Sequence, residues 1–190
     1  LPMTAAAIFI LAGMIGGGFQ QALGGEFFRW FHLVRYEPPR TLRDGRTWHG
    51  FRPEGEKYGA LVTVNLETDA NDRIADATLC LDRAFVEHAK DGAFARDITA
   101  SFLRWALPPA AQEQAAGFLA ELGDLGPNVI RLAGAPVPPP ADPTALYAVY
   151  LGRDKDAEQR MPGVTLRRTN LQARDGPRDP QHDWIWIRVD

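Results

Sequence analysis

Residues 58–105 constrain the fold more tightly than any other stretch, because three local patterns there agree on one arrangement. Ala60, Val62, Val64 and Leu66 alternate with Thr63, Asn65 and Glu67, the two-residue period of a half-buried strand. Asp69, Asn71 and Asp72 follow. Their short polar side chains bond their own main chain and tolerate left-handed backbone, which predicts a tight turn into a second strand over residues 74–81. Asp91 and Gly92 then open a helix in which Phe94, Ile98, Phe102 and Trp105 recur every three or four residues as one apolar stripe. A sheet with one apolar face and a helix with one apolar stripe bury each other.

The same reading extends outward from this unit. Pro108 and Pro109 end the helix and start another, with Ala115, Phe118, Leu119 and Leu122 on its apolar side and Gly123 as its cap. The two helices form an αα-hairpin over one sheet face. A short strand is expected over residues 47–51 and another over 128–132. The proline-rich residues 135–143 read as an extended crossover. Residues 145–151 are apolar on both faces and predict a central strand. Residues 163–173 and 183–189 predict an antiparallel pair, with Trp184, Trp186 and Arg188 facing one way and Ile185, Ile187 and Val189 the other. The expected class is α+β: a mostly antiparallel sheet with an αα-hairpin packed on one face, preceded by an apolar N-terminal helix.

A chain of 190 residues is long enough for one domain with a sizeable core. Its net charge of -3 gives no electrostatic footprint for nucleic acid. The single Cys80 excludes an internal disulfide and a cysteine metal cluster. Neither a glycine-rich phosphate loop nor an HExxH or GxSxG motif occurs, so no cofactor and no metal site is indicated.

No charged side chain precedes Glu26, and residues 5–15 are continuously apolar. A membrane anchor over residues 2–23, with Gly13 and Gly17 at GxxxG spacing, is the reading carried forward. A cleaved secretory signal and a buried core helix are the alternatives. Phe27, Phe28, Trp30, Phe31 and Tyr36, interspersed with Arg29 and Arg35, suit a membrane-interface belt or, equally, a core helix. The chain thus divides into residues 1–25 as anchor or signal segment, 26–46 as an aromatic and basic juxtamembrane segment, and 47–190 as a single α+β domain. That domain is expected on the periplasmic or extracytoplasmic side, or secreted if the segment is cleaved. The basic residues after the apolar run oppose export under the positive-inside rule.

Chemistry-bearing residues are sparse. Asp82 and Arg83 stand close to Glu87 and His88, which would pair a carboxylate with an imidazole for acid–base work, or else form a solvated strand end. Asp69 to Asp72 resembles the opening of a calcium loop, but the twelfth position is Cys80 where a bidentate Glu is needed. Cys80 itself reads as a small buried filler. Arg167, Arg168, Arg174, Arg178 and Arg188 lie among Asp175, Asp179, Asp183 and Asp190, which favours local pairing over an anion site. Two function classes follow. One is a binding or assembly module, membrane-anchored or exported, with a protein partner and the aromatic segment or the C-terminal Trp strand as contact surface. The other is a small enzyme with a dispersed site drawn from His88, Asp82, Arg83 and His49.

Overall fold

A computed structural model describes residues 14–87, 92–112, 114, 157–171 and 184–190. Two short helices, α1 (Phe19–Leu23) and α2 (Glu26–Trp30), lead into β1 (Leu33–Arg35), β2 (Arg40–Thr41) and β3 (Thr47–Pro53). A single turn, α3 (Glu56–Gly59), precedes the expected hairpin of β4 (Val62–Thr68) and β5 (Ile74–Asp82). Then come α4 (Arg83–Glu87), α5 (Gly92–Ala106), β6 (Ala157–Met161), β7 (Val164–Leu171) and β8 (Trp184–Val189). The fold is α+β, with an eight-stranded antiparallel sheet in the order β1-β3-β4-β5-β8-β7-β6 and β2 paired beside β1 on β3.

The hairpin turn has the chemistry its residues announce. Asp69 Oδ1 accepts from the amides of Asn71 (2.8 Å) and Arg73 (3.0 Å), and Asp72 takes the left-handed conformation at φ +60°. A bulge follows on β5, where Ala75 is the extra residue opposite the step from Glu67 to Thr68. Register places Val62, Val64, Leu66, Ala77, Leu79, Leu81, Ile185, Ile187 and Val189 on one face, where all are buried. Helices α1, α2 and α5 cover that face, and Ile98 and Phe102 of the predicted stripe are fully buried against it. Trp184, Trp186 and Arg188 point to the opposite face, as their alternation requires.

Three differences from the sequence reading have local causes. The strand begins at Val62, not near residue 58, because the chain turns through α3 and lays the Tyr58 ring flat on Phe94, 4.3 Å between centroids and 7° from parallel. Strands β1, β2 and β6 went unforeseen. They lie toward the sheet edges; β2 and β6 carry polar residues on both sides and β1 is only three residues long, so none shows an apolar alternation. The apolar N-terminal helix does not appear in the described part of the segment. Met14 to Gly18 runs non-helically beside β5, with Gly16 N–H on the Ile74 carbonyl (2.7 Å) and Ile74 N–H on the Gly17 carbonyl (2.9 Å). Gly16 at φ +80° supplies backbone that a helix does not use, and Gly24 and Gly25 break α1 from α2. Phe19 and Ala22 of α1, and Phe27 and Phe28 of α2, belong to the core. The expected strands at 128–132 and 145–151, and all of the second helix of the αα-hairpin beyond residue 114, lie outside the described residues.

Candidate functional site

Helix α2 sorts its side chains by helical geometry. Phe27 and Phe28 face inward at 3% and 5% exposure, while Arg29 and Trp30 face out. Behind them is an aromatic stack: Phe27 lies 5.2 Å from Trp105 and 6.0 Å from Phe102, and Phe28 meets Phe51 edge-on at 5.0 Å. His32, at φ +47°, closes the helix in a left-handed conformation and turns the chain into β1. Trp30 is left 65% exposed. Among the described residues it and Val34, at 39%, are the exposed large hydrophobic side chains.

Two depressions meet at Trp30. One, about 430 Å³, is lined by Met14, Phe27, Trp105 and Leu107 with Glu26 and Arg104 among its polar groups. The other, about 470 Å³, is lined by Phe31, His32, Glu54, Tyr58 and Phe94. The first is built where α5 ends: Met14 N–H bonds the Trp105 carbonyl (3.0 Å), and Gln112 Nε2 donates to the carbonyls of Arg104 (3.1 Å) and Leu107 (3.0 Å), which the helix leaves without intrahelical partners. Sequence reasoning had Trp30 within the aromatic run but not Met14, Trp105 or Leu107 beside it. The available signal was that five rings in eleven residues exceed what one face of a short helix can bury.

The predicted acid–base residues do not converge. Asp82 is 2% exposed and accepts the Phe85 amide at 2.8 Å, capping α4. Arg83 is buried next to it, and His88 lies outside the described residues. His49 sits on the helix-covered face of β3, whereas alternation along β5 puts Asp82 on the other face, five residues beyond Ala77, which lies level with His49 through Leu66. Five strand residues span about 17 Å. His49 is itself occupied: Arg35 donates to Nδ1 (3.2 Å), so Nε2 carries the proton and donates to Thr68 Oγ1 (3.1 Å), while the ring stacks on Phe19 at 4.1 Å. Burial, and then the Arg35 charge, lower its pKa, as suits a neutral structural imidazole.

The polar sheet face carries a charge ladder. Arg46 pairs with Glu67 (2.7 Å), Arg188 with Asp76, and Arg167 with Glu158 (3.0 Å) and Asp190. Local pairing therefore accounts for Arg167 and Arg188, while Arg168 lies on the opposite face and is buried. Asp76 is 2% exposed, and burial pushes its carboxyl up to about 6 against the opposing pull of Arg188. Cys80, also on this face, is buried, and its thiol is pushed up to about 12 by that burial, which leaves it unreactive. Among the described residues no three His, Cys, Asp or Glu side chains gather as a metal site. Compared with protein-family models, curated proteins and solved structures, the chain matches none of them.

Proposed function

We propose that this chain is a binding or assembly module held at a membrane, with Trp30 at the contact and residues 1–13 entering the bilayer. One observation carries the reading: Met14, within the apolar run of residues 5–15, and the exposed Trp30 line the same groove. Indole rings favour the headgroup level, where their apolar body and polar N–H are both accommodated. Arg29 and Arg104, both exposed nearby, suit anionic lipid. The membrane segment on this reading is shorter than residues 2–23, because Met14 to Leu23 pack on the domain. Thirteen helical residues reach about 20 Å against a hydrocarbon core of about 30 Å, so these thirteen by themselves enter a leaflet without crossing it. Among the described residues no helix is long and apolar enough to cross a membrane.

Vesicle flotation tests this. The full chain should float with anionic vesicles and resist release by high salt. A chain starting at Met14 should bind weakly and be released by salt, and Trp30→Ala in the full chain should weaken binding. A full chain that stays in the soluble fraction overturns the proposal.

A further inference from the structure

We infer that the groove lined by Met14, Phe27, Trp30, Trp105 and Leu107 is the berth of the chain's own residues 1–13 when no membrane is present. Met14, within the apolar run of residues 5–15, is itself part of the groove and is fixed there by its bond to the Trp105 carbonyl (3.0 Å), so the residues that precede it are tethered at the groove. Ile8, Phe9, Ile10 and Leu11 are large, apolar and uncharged, and water does not accommodate them without cost. The groove offers apolar walls within a few residues' reach, at the high effective concentration that a covalent connection gives.

The absence of charge in the run leaves Glu26 and Arg104 free to stay solvated when the berth is filled. Seating and insertion then compete for the same side chains. The domain carries a membrane segment that is covered in solution and released to lipid, a population shift driven by the run's greater affinity for the bilayer. The switch rests on the membrane reading above, whereas seating in solution stands apart from it.

The test labels Ile10→Cys in the full chain with a bimane fluorophore, which indole quenches on contact; Cys80 is too buried to label. Quenching in solution, lost in Trp30→Phe or Trp105→Phe and lost on adding anionic vesicles, is expected. No quenching in solution overturns the berth. Quenching that grows with protein concentration assigns the groove to a second copy and overturns seating in cis. Quenching that persists on floated vesicles overturns the switch. Quenching in solution without flotation supports the berth and overturns the membrane reading.

Discussion

Asp76 shows how a residue acquires a property that no local pattern announces. It alternates with apolar neighbours as any solvent-facing strand residue would, yet it is buried, faces Glu67 directly across the hairpin, and accepts from Thr78 Oγ1 at 3.1 Å. Burial raises its pKa from 3.8 to about 6 even with Arg188 beside it. The folded chain therefore holds this proton more tightly than the unfolded chain. Its contribution to stability is fully present below pH 3.8 and is lost as pH rises through about 6. The difference corresponds to about 3 kcal/mol. Asp76→Asn should gain on the wild type by up to that amount across this window in urea unfolding, and a difference that stays flat with pH would contradict it. His49 works in the opposite sense, because burial and Arg35 lower its pKa, so its contribution is present at neutral pH and lost toward acid. Neither burial was legible in the sequence, which shows which side of a strand a residue is on but not whether the polar side is covered. Cys80 as a buried filler was legible, since its strand is apolar on both sides of it.

Elements with a strong period were legible and those without were not. The β4–β5 hairpin, the β7–β8 pair and the stripe of α5 each followed from alternation or helical recurrence, and the structure places their apolar sets in one core. Phe102, at 0% exposure in the middle of that stripe, is the direct check. Phe102→Ala should lower the unfolding free energy by about 3–5 kcal/mol, the cost of a cavity against a relaxed neighbourhood. A loss well below this would mean that the helix does not seal the sheet. Strand β6 illustrates the other case. Glu158 and Arg160 face the polar side and Gln159 reaches Gln114 across the other, so only Met161 at its end signals a core. A strand of this kind is set by its partner β7 and not by its own pattern. Helices α1 and α2 were hidden differently: their apolar residues were visible, but the uncharged run that holds α1 read first as a membrane anchor, and the aromatic and basic segment that holds α2 suits an interface belt and a core helix equally.

At the scale of the molecule, the core draws on residues before β3 as well as after it. Phe19, Ala22, Phe27 and Phe28 cover the same sheet face as α5, and Phe19 and Phe28 both meet Phe51. A chain starting at Met14 should unfold cooperatively, whereas one starting at Arg40 should lose its cooperative thermal transition; an unchanged transition in the shorter chain would show that this layer is dispensable. What the fold leaves over is the exposed Trp30 beside Met14 of the apolar run, and the proposed function depends on that pair meeting lipid. The most direct measurement is quenching of tryptophan emission by bromine-bearing lipids in anionic vesicles, comparing the full chain with Trp30→Phe. Trp30 at the interface predicts strong quenching in the wild type that is largely lost in the variant, because the other indoles are buried or half-buried in the domain. Equal quenching in the two, or none in either, would contradict the account.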